Sequence, residues 1–104
     1  MTTPEGEVKE DVKRWLDFVG AWYFMPAQWG YGRRGVPDFI GVLPGGRMFA
    51  IECKSSEGEI TALQKLELTR IEQVGGLALV ATPDNNEELR VLINGAIEKG
   101  RSSR

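Results

Sequence analysis

The sequence predicts one α/β domain over residues 1–104, a mixed central sheet with flanking helices in the order α-β-β-β-α-β-α. Three observations carry that expectation. Apolar residues recur at helical spacing before Gly20 and again after Thr61. Two strand-like runs, DFIGVL and RMFAIECK, are joined by PGG, a tight-turn sequence. A continuous apolar run, LALVAT, then lies between two helical patterns, as a buried strand does in a helix-covered sheet.

Each element has a local reason. Thr2 or Thr3 can cap the first helix, with Pro4 near its first position, where a missing N–H costs little. Val8, Val12, Trp15, Leu16 and Val19 form its apolar stripe, and Gly20 ends it. AWYF is a short strand whose aromatic residues are expected in the core. MPAQWGYGRRGVP, rich in Gly and Pro, is a loop that also holds Trp29, Tyr31, Arg33 and Arg34. After the hairpin, SSEGEI links to a second helix. Thr61-x-x-Gln64 fits a capping box, and Gly75-Gly76 follows the helix end. The crossover from the Glu52 strand to LALVAT makes a βαβ unit. A last helix covers DNNEELRVLINGAIEK, capped at Asp84 or Asn85. Residues 101–104 are expected to be a frayed tail.

Composition removes several classes of chemistry. The chain has no His and a single cysteine, Cys53. His-dependent nucleophile systems, His-ligated metals and multi-cysteine zinc sites are therefore excluded. Catalysis must rest on carboxylates, Lys, Tyr or a hard cation. No apolar run approaches the roughly 20 residues that span a bilayer, so no membrane association is expected. The polar N-terminus MTTPEGEVKED does not read as a signal peptide. This predicts an intracellular, cytoplasmic protein, of a kind that a virus or its bacterial host would carry. Net charge is -2. The basic residues Arg33, Arg34, Arg47, Lys54, Lys65 and Arg70 nevertheless cluster mid-chain, while acids crowd the first 17 residues and Asp84–Glu88.

The hairpin carries the chemical argument. With its centre at Gly45, Asp38 lies seven residues before and Glu52 seven after, so the two face each other across the strands. Directly opposed residues have Cβ atoms about 4.5–5.5 Å apart. Two carboxylates at that distance repel, and a divalent cation between them reverses the sign. Mg²⁺ takes one or two carboxylates plus waters. Lys54, two residues on, shares the Glu52 face, while Cys53 points to the opposite side and fills core. Taken separately, Asp38 and the Glu-x-Lys pair are also common as strand punctuation and as a surface ion pair worth under about 1 kcal/mol.

RRGVPD, an apolar strand, PGGR, an apolar strand ending in ECK, and T-x-x-Q opening a helix together resemble the VRR-NUC family of the PD-(D/E)XK nuclease superfamily. The resemblance covers residues 5–82 and implies a restriction-endonuclease-like fold. It also implies an Mg²⁺- or Mn²⁺-dependent deoxyribonuclease. Asp38 and Glu52 would be metal carboxylates, the Cys53 backbone C=O a further ligand, Lys54 the group that positions or activates water, and Gln64 a lining residue. Family members carry an acid in the first helix. Glu5, on the inward stripe, is favoured over Glu7, and Glu5 and Gln64 each have a helix-capping role as the alternative. Family members also often carry a basic residue in the second extended piece, which AWYFMPAQ lacks. Arg33, Arg34 and Lys65 would meet DNA phosphates, and Trp29 and Tyr31 would stack on a base or wedge a junction. Stand-alone members are associated with homodimers acting on branched DNA such as Holliday junctions. The sequence does not identify the interface, but the last helix carries more apolar residues than one face requires, so it or the first helix is where one is sought. The alternative is a non-catalytic nucleic-acid-binding or accessory subunit built on the same fold.

Overall fold

The structure is a computed structural model that describes residues 3–27 and 32–102. Its elements run α1 (Pro4–Val19), β1 (Trp22–Phe24), β2 (Phe39–Val42), β3 (Met48–Cys53), α2 (Ala62–Gln73), β4 (Leu77–Ala81) and α3 (Asn86–Ser102), in the expected order. The four strands form one sheet in the order β1-β2-β3-β4. The first two pairings are antiparallel and β3–β4 is parallel. No helix among the described residues is long and apolar enough to cross a membrane.

The two sheet faces differ in kind. Phe39, Leu43, Phe49, Ile51, Cys53, Leu79 and Ala81 join Val8, Val12 and Leu16 of α1 and Leu89, Ile93, Ala96 and Ile97 of α3 in a single buried core. Fully burying a Leu or Phe side chain stabilises by about 1.5–3 kcal/mol, so this face carries most of the apolar stabilisation. The opposite face receives α2, which has no buried residue of its own. Among the described residues, its β1 edge lies beyond the reach of α2. Trp22 is 65% and Phe24 47% exposed, and Val42, opposite Trp22, is 40% exposed. The expected core role therefore holds for Tyr23, whose ring meets Phe39 edge-on at 5.7 Å, but not for its two neighbours. Alternation along an edge strand sends Tyr23 to the core and the other two to the face that no helix covers.

The element ends follow their signals. Thr3 caps α1, its hydroxyl accepting from Gly6 N–H, and Gly20 closes the helix at φ 80°. Tyr23 donates to Asp17 at 2.7 Å, tying the helix end to β1; burial and then that bond push its phenol up to about 12. In the hairpin, Gly46 N–H donates to Leu43 O across Pro44 and Gly45, with φ 98° at Gly45, the type II pattern. The turn packs on the end of α3, where a Cβ on Gly45 would stand 3.0 Å from Gly100 backbone atoms. That contact helps explain one departure from expectation. Residues 101 and 102 lie in the helix, where the Ser102 hydroxyl donates to Glu98 O at 2.8 Å, while 103 and 104 of the expected tail lie outside the described residues. Lys99 and Arg101 in that turn also suit the helix dipole. At the other end of α3, Asn85 reaches back instead of capping forward. Its amide donates to Val80 O at 2.7 Å and its oxygen accepts from Thr82 N–H at 2.9 Å, which fastens the helix to β4.

At Gly41 of β2 an added Cβ would stand 2.0 Å from Trp22 O on β1. Gly95, in α3, has nothing within 4 Å of that position. Gly41→Ala will therefore destabilise by more than about 2 kcal/mol in urea unfolding. Gly95→Ala will stabilise by about 0.5–1 kcal/mol, because it removes only a helix-interior glycine.

Candidate active site

The register sets the site. Phe39 pairs with Ile51 and Val42 with Met48. Asp38 precedes Phe39 at a bend just outside β2, and its carboxylate comes close to that of Glu52, the residue after Ile51. Both are buried, at 7% and 3% exposure. Asp38 is held by the backbone: its Oδ2 accepts from Cys53 N–H at 2.8 Å, a buried bond. Pro37, the residue before it, also lies outside the strand. Lys54 N–H donates to Ala81 O on β4, so the N–H and C=O of Cys53 point the other way, toward β2. Pro37 has no N–H to offer that carbonyl. The Pro-Asp dipeptide thus captures the Cys53 donor with a carboxylate and supplies no ladder donor to its acceptor.

Glu52 is held from α2 and from its own strand. Gln64 Nε2 donates to Glu52 Oε2 at 3.1 Å. Gln64 Oε1 accepts from Thr61 N–H at 3.0 Å, while Thr61 Oγ1 accepts from Gln64 N–H, so the capping box is complete as well. The two expected roles of Gln64 coexist because its amide has one end for each. Lys54 Nζ stands 3.6 Å from Glu52 Oε2. Burial, and then the facing Asp38 carboxylate, push Glu52 up to about 7, while Lys54 pulls in the other direction.

Glu5 is the first-helix acid that turns toward this group. Thr3 is the cap, so the third helical position is Gly6, and Glu5 takes no part in a capping box. Glu5 reaches the pair through Lys9: the Lys9 Nζ is 3.6 Å from Glu5 Oε2 and 3.6 Å from Asp38 Oδ1. Burial works against the Lys9 charge, but Asp38 and Glu5 outweigh it and the ammonium titrates higher than usual. Among the described residues, no three His, Cys, Asp or Glu side chains gather closely enough to cage a metal. Glu5 is therefore a more distant acid and not a third member of a tight carboxylate cluster. Glu7 is exposed.

The sequence reading missed Lys9. Its signal was available, since Glu5 and Lys9 are four apart and extend the stripe Val12–Leu16 toward the start of α1. Cys53 is fully buried in the core as expected, and burial pushes its thiol up. The DNA-contact candidates are more dispersed. Arg33 donates to Glu67 on α2 at 2.8 Å, an acid the sequence reading did not weigh. Arg34 and Lys65 are exposed. Trp29 and Tyr31 lie outside the described residues. Gly35, at φ 78°, lets this loop cross the start of α2, where a Cβ would come within 2.7 Å of Leu63 backbone atoms.

The donor set fits a hard divalent cation. Two opposed carboxylates, one with its ionised form disfavoured by burial and its neighbour, gain from a cation between them, and the Cys53 carbonyl adds a neutral oxygen.

Comparison with solved structures gives a match described as a VRR_NUC domain, with a TM-score of 0.70 and 23% sequence identity, covering 88% of this chain and 96% of that one. The fold is thus that of the matched VRR_NUC domain, a mixed sheet with flanking helices. The resemblance carried by RRGVPD, ECK and T-x-x-Q holds at that level. No family model matches the sequence. No curated protein matches it either.

The raised Glu52 has a measurable consequence. Between its ordinary 4.5 and about 7, the folded chain holds a proton that the unfolded chain has lost. Stability in EDTA will therefore fall as pH rises through that window and level off above it. Subtracting the pH profile of Glu52→Gln, measured by urea unfolding, will isolate this slope; identical profiles for the two proteins contradict it.

Proposed function

We propose that the chain is a divalent-metal-dependent DNA endonuclease that hydrolyses phosphodiesters. One observation carries the reading: the buried carboxylates of Asp38 and Glu52 come close together at the end of the hairpin, with the Lys54 ammonium beside Glu52. The VRR_NUC fold supports it. Asp38, Glu52 and the Cys53 carbonyl would hold Mg²⁺ or Mn²⁺. Bound there, the ion supplies Lewis acidity toward the phosphate and lowers the pKa of its water.

The remaining steps belong to the chain. Cys53 N–H fixes the Asp38 carboxylate, and Gln64 fixes Glu52, so neither has to be organised when substrate arrives. Lys54 orients a water or a phosphate oxygen at the site. Water adds to phosphorus as the P–O ester bond breaks, leaving a phosphate monoester and a free hydroxyl. Arg34 and Lys65, and Arg33 when it exchanges Glu67 for a phosphate, hold the flanking backbone. Branched DNA such as a four-way junction is the substrate class, with Trp29 and Tyr31 as stacking groups. Homodimerisation doubles the small footprint. Val91 and Leu92 of α3, 70% and 43% exposed, and the uncovered Trp22–Phe24 face are the apolar surfaces that pairing would cover.

Purified protein incubated with four-way junctions, flaps, forks and plain duplex will cut with Mg²⁺ or Mn²⁺ and not with EDTA. Asp38→Asn and Lys54→Ala will each lower the rate by about a hundredfold or more. Cleavage that survives Lys54→Ala rejects the assignment. Binding of branched DNA with no cleavage in either metal favours the accessory-subunit reading. Sedimentation showing monomer alone at micromolar concentration rejects the dimer.

A further inference from the structure

We propose that Lys9 is a tethered counter-ion that occupies the carboxylate site in the metal-free protein and yields its place when a divalent cation binds. The inference rests on the reading of Asp38 and Glu52 as metal ligands. Asp38 has two oxygens. Oδ2 is committed to Cys53 N–H, and Oδ1 faces the Lys9 ammonium, which also faces Glu5 Oε2. Lys9 thus bridges the one Asp38 oxygen that Cys53 N–H does not use and the nearby first-helix acid. A cation bound at Asp38 Oδ1 would compete with the ammonium for that oxygen.

The geometry marks this contact as displaceable. Both distances are 3.6 Å, long for a charge-assisted hydrogen bond, so the ammonium is held loosely. The Lys9 side chain is 32% exposed against 9% for Asp38, on a flexible four-carbon stem with an open way to solvent. Lys54 is placed differently, at 13% exposure beside Glu52, and stays with the site. Charge counting gives the two lysines separate tasks. Glu5, Asp38 and Glu52 against Lys9 and Lys54 leave a single net negative charge, so the carboxylates pack without a metal. A divalent ion entering beside a fixed Lys9 would meet a like charge at close range. Moving the ammonium into water removes that repulsion and leaves Asp38 and Glu52 as partners for the ion.

The test is Mn²⁺ titration by calorimetry at pH 8, with thermal unfolding in EDTA, on wild type, Lys9→Met, Lys9→Gln, Lys9→Arg and Asp38→Asn. Lys9→Met and Lys9→Gln will bind Mn²⁺ about tenfold more tightly than wild type and unfold at lower temperature in EDTA. Lys9→Arg, which keeps the charge, will resemble wild type in both. Equal or weaker Mn²⁺ binding by both neutral variants overturns the inference. Should neither neutral variant fold, reductive ¹³C-methylation of the wild-type lysines, with the Lys9 signal assigned by Lys9→Arg, reads the same event: Mg²⁺ will shift that signal toward the solvent-exposed lysines, and an unmoved signal overturns the inference. Asp38→Asn binding Mn²⁺ as tightly as wild type removes the metal-site reading itself, and the Lys9 inference with it. Tight binding abolished by Asp38→Asn but indifferent to Lys9 removes the Lys9 inference alone.

Discussion

A hydrogen bond from Cys53 N–H to the Asp38 carboxylate holds the site together. An antiparallel ladder continued past Phe39 would close β2 against β3 with backbone bonds. Pro37 has no N–H to give the Cys53 carbonyl, and the Cys53 N–H donates to the Asp38 side chain and not to a backbone carbonyl. The consequence is a buried carboxylate whose direction is set by the sheet and not by its own rotamer freedom. The Glu52 carboxylate comes close to it, and Gln64 then fixes Glu52 from the other side. Repulsion between the two acids is built into the fold by backbone geometry, and the lysines on either flank hold it in check.

The three layers have unequal duties. α1 and α3 share a dry core with one sheet face, while α2 brings a capping box, a glutamine and an acid to the other face and buries no residue of its own. Stability and chemistry are therefore separated across the sheet. The strands join them because alternation gives Ile51 and Cys53 to the core and Glu52 and Lys54 to the working side. α2 attaches by specific polar contacts: Gln64 to Glu52, Glu67 to Arg33, and the Gly75 carbonyl to Arg47.

Much of this was legible in the sequence, for a physical reason. A tight turn with Pro44 and Gly45 fixes the centre of the hairpin, and a period of two then assigns every side chain on both strands. Asp38, Glu52 and Cys53 therefore fell where counting put them. Thr61 and Gln64 were legible because a capping box is local. What escaped were features that depend on reach between separate elements. Lys9 lies on α1, yet its long stem delivers the charge to Asp38. Arg33 meets Glu67 from 34 residues away. Trp22 and Phe24 were misplaced because alternation gives the parity of a strand and not whether a helix covers the face it points to. The contact of the hairpin turn with the last turn of α3, through Gly45 and Gly100, escaped for the same reason.

The single thiol of the chain occupies an unusual vantage point. Cys53 sits on the strand between Glu52 and Lys54, and its amide anchors Asp38 while its sulfur lies wholly inside the core. With no second cysteine to compete, any label that reaches this sulfur has done so because the end of β3 has parted from its neighbours. The rate of that modification is a clock for local breathing of the strand that carries the chemistry, and it needs no engineered probe to be read.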